Sequence, residues 1–355
     1  MTAPRELTTA ESVASLVAHH PEWLDDGRGV PAEPSPDATL IGSGESYAAW
    51  LVVSRELTDL RDPRGPRRVV VRVPHRPDEL PRPMSEEFAA LVAAPEGVGP
   101  RPIHLATAGD PVGAELGSTT GGTAYMVVEH VPGQVRPPAA WTDDLLAAHA
   151  GQLARLHELT FDGYGDVTAT DRLRHGLSMV RAGEAGLQWW SDHHPRLVAA
   201  PDVAALWPRV RALFAATEPE FERLEQFCLT HGDAAVPNIL VSGGVPRYVD
   251  WEWAGIGDPA RDLAFIGGAV WLDPWYLRLT PERVGRYLEA YCAAAGPAAA
   301  PTSEPAALAA RGRCWLVNEV FFVALHFRRQ AERGAGPEYA DRADTLLARL
   351  ALALD

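Results

Sequence analysis

The apolar positions of this chain change their period near residue 140. Before it, short β-branched and aromatic runs alternate with turn residues. Leu40-Ile41, Gly42-Ser43-Gly44 and Ala49 to Val53 predict a hairpin, and Val69 to Val73, closed by Pro74, predicts a further strand. Thr8 to Leu24 predicts a leading helix, because Thr8 and Glu11 have capping-box spacing and Val13, Leu16 and Val17 share a face. Residues 25–38, rich in Pro, Gly and Asp, predict a connector. Glu86 to Ala93 reads as a helix, and Ala124 to Val128 as a strand running into Glu129-His130-Val131-Pro132-Gly133.

Beyond the break the period is helical. Trp141 to Leu159 places Leu145, Leu146, Leu153 and Leu156 on one stripe, and residues 179–227 predict one or two helices parted near Pro195 and Pro201. Asn238 to Val241 and Arg247 to Val249 predict two short strands around a Ser-Gly-Gly turn. Helices resume from Arg261 to the end, interrupted by the Ala/Pro-rich stretch 295–307. The expectation is an α+β chain without internal repeats. Residues 1–132 form an antiparallel-sheet lobe carrying the helix 8–24, and residues 133–355 form a larger, mainly helical lobe.

Composition narrows the function classes. The 355 residues are 46% hydrophobic and hold no uncharged apolar run of membrane-spanning length, and the N-terminal segment lacks the pattern of an export signal, so a cytoplasmic protein is expected. Cys228, Cys292 and Cys314 are far apart and have no C-x-x-C spacing, which predicts buried free thiols. A formal charge of −15 argues against nucleic acid as a partner and favours a cationic ligand. All 32 basic residues are arginine, so a site that needs a side-chain cation must use arginine or histidine.

The chemistry concentrates in residues 229–264. Asp233 follows a short apolar run, Asn238 opens a predicted strand five residues later, and Asp250 closes the next one. A tight turn at Gly243-Gly244 brings Asn238 and Asp250 together. Two carboxylates and an amide oxygen in one place suit magnesium-dependent phosphoryl transfer, one Asp taking the proton of the attacking hydroxyl and the other pair offering hard oxygens to Mg²⁺.

The pattern H-G-D-x-x-x-x-N-I-L, from His231 to Leu240, followed by V-D-W-E-x-A-x-x-G-D-P-x-x-D-L-A, from Val249 to Ala264, resembles the signature of the aminoglycoside phosphotransferase superfamily, relatives of the protein kinases. The resemblance implies a kinase-like two-lobe fold, with Asp233 as catalytic base, Asn238 and Asp250 as metal ligands, and Asp262 bracing the catalytic loop. Ala234-Ala235-Val236 departs from the common Leu-His-Pro at a place that removes no catalytic atom. More weakly, Gly42, Ser43, Gly44 and Ser46 resemble the family's nucleotide loop. Glu129 to Val131 fall in its linker, whose main chain meets the base of ATP or GTP. Leu153 to His157 matches a helix of the second lobe, where His157 is expected to be a core residue. The strand position that usually carries lysine is Arg72, with Glu87 as its expected helix partner. Some macrolide phosphotransferases of the superfamily also show Arg-x-Pro there.

For the acceptor, Trp189, Trp190 and Asp192, and Trp271, Asp273 and Trp275, fall in regions where members of this superfamily build substrate pockets, with core packing as the rival role of each Trp. Glu319, Phe322 and His326 have helical spacing and are expected to face one cleft. His19-His20 and His193-His194 are expected on the surface. The acceptor expected first is a hydroxyl of an aminoglycoside-type antibiotic. A macrolide, a metabolic alcohol of the choline, homoserine or methylthioribose kind, and a silent nucleotide-binding pseudokinase are the alternatives, in a monomer or homodimer.

Overall fold

A computed structural model describes residues 9–24, 36–54, 67–76, 80–107, 124–296 and 304–355. It divides into two compact units, Met1–Pro132 and Gly133–Asp355. Thr8, the expected helix cap, lies outside the described residues.

In the first unit, helix α1 spans Ala10–Ala18, capped by Thr9, whose side chain accepts from the Ser12 N–H. It stops short of Leu24 because Pro21 disfavours helical geometry at His20, and the chain re-forms as a 3-10 turn, Pro21–Leu24. Five antiparallel strands follow: β1 (Pro36–Ser43), β2 (Tyr47–Ser54), β3 (Arg67–Pro74), β4 (Pro102–Ala106) and β5 (Tyr125–Glu129), ordered β1-β2-β3-β5-β4. Strand β1 therefore begins inside the stretch expected as connector. Along β3, Val69, Val71 and Val73 alternate inward, as period-2 patterning requires. They pack with Trp50, Val52, Tyr125 and Val127 against Val13, Leu16, Val17 and Trp23 of α1 and the turn after it. Helix α2 (Met84–Ala93) supplies Glu87 to the β3 side chain Arg72.

The second unit is mainly helical: α3 (Asp143–Leu156), α4 (Met179–His193), α5 (Pro195–Val198), α6 (Pro201–Glu222), α7 (Pro259–Ala264), α8 (Pro281–Ala295), α9 (Pro305–Glu332) and α10 (Pro337–Leu354). Residues 179–222 thus form three helices rather than one or two. Pro195 and Pro201 start α5 and α6 at positions where a missing N–H costs nothing. Phe214, Phe221, Val317, Val320, Phe321, Leu325, Leu346 and Leu350 fill the space between α6, α9 and α10. Each such side chain contributes about 1.5–3 kcal/mol of burial.

Short strands carry the chemistry. Strand β6 (Gln134–Val135) pairs with β9 (Ile239–Ser242), which pairs with β10 (Val245–Tyr248). Strand β8 (Phe227–Thr230) lies between β7 (Thr160–Phe161) and β11 (Gly255–Gly257), and β12 (Gly267–Gly268) runs parallel to β13 (Leu277–Arg278). Gly243 and Gly244, at φ 57° and 81°, make the two-residue turn between β9 and β10. Asn238 sits just before β9, in the 3-10 turn Val236–Asn238, because Pro237 cannot donate to a sheet. Cys228 and Cys314 are buried, Cys292 is half-buried, and none of the three is in a disulfide. Among the described residues no helix is long and apolar enough to cross a membrane.

Candidate active site

Strand β8 delivers the chain into a loop whose first residues are held from below. The Asp262 carboxylate on α7 accepts the His231 N–H at 2.7 Å on Oδ2 and the Gly232 N–H at 2.8 Å on Oδ1, the bracing role implied by the sequence. His157 Nε2 lies 3.2 Å from the same Oδ2, and its Nδ1 lies 2.9 Å from the Tyr291 hydroxyl. His157 is thus a satisfied core residue. Burial alone would raise the Asp262 carboxyl, but the His157 contact and the Gly232 N–H together hold it below the usual carboxylate range.

His231 is fully buried. Its Nδ1 accepts the Asp233 N–H at 3.2 Å while its Nε2 lies 3.1 Å from the Val249 carbonyl. The two contacts are satisfied together by the neutral ring carrying its proton on Nε2, and burial lowers its pKa in the same sense. Gly232 must be glycine. Its φ is +81°, and an added Cβ would lie 2.1 Å from the Trp253 carbonyl oxygen.

These constraints aim Asp233. The Asn238 side-chain N–H₂ donates to Asp233 Oδ2 at 2.8 Å and to the Asp233 carbonyl at 3.0 Å. With its donor end so committed, the Asn238 amide keeps its acceptor oxygen for another partner. The Val249 N–H donates to the Asn238 carbonyl at 2.9 Å, extending the β9–β10 ladder by one step and setting Asp250 beside Asn238. Asp250 itself has φ +67°, the one non-glycine residue with positive φ among those described. Left-handed backbone of this kind is disfavoured unless its surroundings enforce it. Burial pushes the Asp233 carboxyl well above the usual range; the charges of Glu319 and Asp250 add to the rise, and Arg261 and the Asn238 hydrogen bond oppose it.

Glu319, on α9, thus lies near enough for its charge to be felt at Asp233. Burial raises its carboxyl, opposed by the Arg261 charge, by the hydroxyl of Tyr276, which donates to it, and by His326. The guanidinium of Arg261 lies 5.5 Å from the ring centre of Phe265 and 5.7 Å from that of Trp315. Arg261 and Tyr276 were not singled out in the sequence. Arg261 occupies a variable position of the motif, and Tyr276 lies next to Trp275 with no periodicity to mark it.

The other expected acceptor residues lie differently. The Trp275 carbonyl accepts the Val236 N–H of the loop after β8 at 3.1 Å, while its ring packs against Phe327 and under Arg342. Asp273 is exposed and its charge is felt at Arg349 rather than at Asp233. Trp190 is core, Phe322 packs on Gly186, and Trp189 is exposed, stacked on His193 at 4.5 Å. Of the paired histidines, His19 and His193 are exposed and His20 and His194 half-buried.

In the first unit, the Arg72 guanidinium is paired with Glu87 and lies 4.2 Å from the Tyr47 ring centre. Gly42, Ser43, Gly44 and Ser46 form the end of β1 and the turn into β2, where a Cβ on Gly42 or Gly44 would meet nothing within 4 Å. His75 steadies this turn. Its N–H donates to the Ser46 carbonyl at 2.8 Å, and its Nε2 lies 3.3 Å from Ser43 Oγ and 3.2 Å from the Gly44 carbonyl. At the end of β5, the Glu129 side chain accepts the Arg101 N–H at 3.2 Å, and Val131 is buried.

A model of the APH phosphotransferase enzyme family matches residues 37–302, three quarters of the sequence, including every residue of the loop just described. The chain belongs to this family. It is 28% identical over 207 residues to a thiamine kinase of Escherichia coli O1:K1, a match covering 58% of this chain and 59% of that protein. The match therefore spans about three fifths of the length of that curated relative. The fold is similar to that of a Plasmodium vivax ethanolamine kinase, with a TM-score of 0.64 at 11% identity over 96% of this chain and 88% of the other. It is also similar to the GDP complex of a wild-type aminoglycoside 2′-phosphotransferase, with a TM-score of 0.59 at 14% identity over 97% and 99% of the two chains. The α+β, kinase-like fold expected from the sequence is the one this family member has.

Proposed function

We propose that this protein transfers the γ-phosphoryl group of ATP or GTP to a hydroxyl of a small molecule that carries a positive charge. The observation that carries the reading is the Asp233 carboxylate, held by Asn238 on a loop braced by Asp262, with the charges of Asp250 and Glu319 felt at it. As the acceptor oxygen bonds to the γ-phosphorus, the bond to the β-phosphate oxygen breaks and the hydroxyl proton passes to Asp233. A site that wet a free carboxylate would offer a weak base; here burial and two neighbouring negative charges raise its proton affinity.

The donor set fits Mg²⁺. Asn238 and Asp250 offer an amide and a carboxylate oxygen, the hard ligands this ion takes. Mg²⁺ ordinarily takes one or two protein oxygens and completes its shell with nucleotide phosphates and water, so these two donors suffice. When bound it would neutralise phosphate charge. Arg72, fixed by Glu87 and Tyr47, offers a guanidinium to the phosphates, and the open turn Gly42 to Ser46 offers main-chain N–H groups. Glu129 and Val131, at the end of β5, would meet the nucleotide base.

Glu319 is the residue of the acceptor. A half-buried carboxylate whose charge is felt at the base suits a cationic nitrogen near the reacting hydroxyl. Thiamine, ethanolamine and aminoglycosides, named in the relatives, all combine these two groups. Aminoglycosides remain the first expectation, and small amino alcohols stand beside them. The test is nucleotide consumption with MgATP and MgGTP across kanamycin, thiamine, choline, ethanolamine, homoserine and a macrolide. One or more cationic alcohols should be turned over, and Asp233→Ala should abolish it. Turnover of a macrolide but of no smaller cationic alcohol would refute the Glu319 assignment, and no turnover of any would leave a nucleotide-binding protein.

A further inference from the structure

The helix that carries Glu319 is tied to the catalytic motif by one buried carboxylate. Asp258, at the head of α7, is 1% exposed, and Arg311, on α9, is 0% exposed. Asp258 Oδ1 accepts the Ala260 N–H at 3.0 Å and so caps α7. Its Oδ2 accepts Arg311 Nε at 3.0 Å and Trp315 Nε1 at 3.0 Å. Arg311 and Trp315 are one helical turn apart, so both grip the same oxygen, and Glu319 follows one turn later on the same face. A turn rises about 5.4 Å, which puts Glu319 that far beyond the tie along the helix axis. At its other end α7 carries Asp262, which holds the loop of Asp233. One short helix thus connects the base to the acceptor carboxylate through two fixed anchors.

A buried ion pair is a weak source of net stability, because desolvation consumes most of its attraction, but breaking one side of it is costly. Such a pair suits the setting of a register more than the supply of binding energy. We propose that Arg311 and Trp315 are positioning residues for the acceptor. By gripping Asp258 they fix the register of α9 against the catalytic loop, and with it the spacing between Glu319 and Asp233 that selects cationic alcohols by the distance from charge to hydroxyl. This rests on the acceptor role of Glu319 proposed above.

The variants are Trp315→Phe, which keeps a ring beside Phe221 and loses the indole N–H together with the five-membered ring that carries it, and Arg311→Lys, which keeps the charge and loses the planar Nε–H. Kinetics with the best of kanamycin, thiamine, choline and ethanolamine should show the acceptor kcat/KM falling about tenfold in each variant, with the nucleotide KM within about twofold of the parent. Combining Trp315→Phe with Glu319→Gln should cost no more than Glu319→Gln alone, since both act through one carboxylate. Hydrogen exchange reads the same tie without turnover. Amides 316–322 should exchange at least about tenfold faster in both variants while the protection of α10 is kept. Additive losses with Glu319→Gln, or unchanged exchange at 316–322, would overturn the proposal. Failure of every acceptor with the parent protein would instead sink the proposed function, and the exchange result would still decide whether the tie sets the helix.

Discussion

Lowering the pH should destabilise this protein through one histidine far from any solvent. His149 on α3 is fully buried, stacked at 5.6 Å on Tyr287 and edge-on at 5.8 Å to Trp141. The Tyr248 hydroxyl donates to the His149 carbonyl at 3.2 Å, so His149 Nδ1, 2.8 Å away, must be the donor to the Tyr248 oxygen. Nε2 is then the unprotonated nitrogen, and it has no hydrogen-bond partner among the described residues. Burial lowers the pKa to about 3; Asp262 opposes the shift, and the charges of His157 and His231 add to it. In the unfolded chain the ring titrates at about 6.5. Between these values the unfolded state binds the extra proton, so stability is full above about pH 6.5 and is lost as pH falls toward 3. From pH 7 to 4.5 the loss is about two pKa units, or about 2.7 kcal/mol, a large part of the 5–15 kcal/mol typical of a domain. Urea unfolding of the parent and of His149→Gln at pH 7 and 4.5 isolates this contribution. Gln keeps a donor for Tyr248 and cannot take a charge, so the variant should be less stable at pH 7 and the gap should narrow by about 2–3 kcal/mol at pH 4.5. A gap that stays the same at both pH values would refute the reasoning.

Two further outcomes follow from the site. Asp262→Asn turns an N–H₂ toward main-chain N–H groups that now donate to oxygen, so it should cost about 1–3 kcal/mol in urea unfolding and lower kcat at least about tenfold; unchanged kcat would show that the loop does not need its brace. Arg72→Ala should raise the nucleotide KM about tenfold, with Arg72→Lys between it and the parent because lysine keeps the charge but loses the forked contact with Glu87; equal nucleotide KM in all three would remove Arg72 from the phosphate site.

Much of this was legible where the determinants are local. The alternation of Val69, Val71 and Val73 predicts the inward face of β3, and Gly243-Gly244 predicts the turn that places Asp250 beside Asn238. The bracing by Asp262 needed only the motif. Boundaries set by a single proline or cap were misplaced, as at Thr9 and Pro21, because a neighbouring Thr or a few more helical residues differ by fractions of a kcal/mol in the sequence alone. What stayed hidden depends on distant partners. Nothing in the spacing of Asp258 and Arg311, 53 residues apart, announces that they meet. Glu319 could be placed on a helical stripe, yet its nearness to Asp233 exists only once α7 and α9 are packed. Asp273 looked equivalent in the sequence and lies elsewhere, on an exposed stretch of loop.

The pairing of Arg72 with Glu87 has a practical corollary for anyone labelling this enzyme. Reagents that report on kinases by acylating the strand lysine, such as nucleotides with a reactive acyl phosphate, need an ε-amine within reach of the phosphates. A guanidinium is a poor nucleophile because its lone pairs are delocalised and it stays protonated. With 32 arginines and no lysine, the chain offers such probes no side-chain target anywhere. A pool of proteins surveyed by that chemistry would pass over this one even while its nucleotide site was filled, and dicarbonyl reagents directed at arginine would find Arg72 shielded by Glu87 and Tyr47.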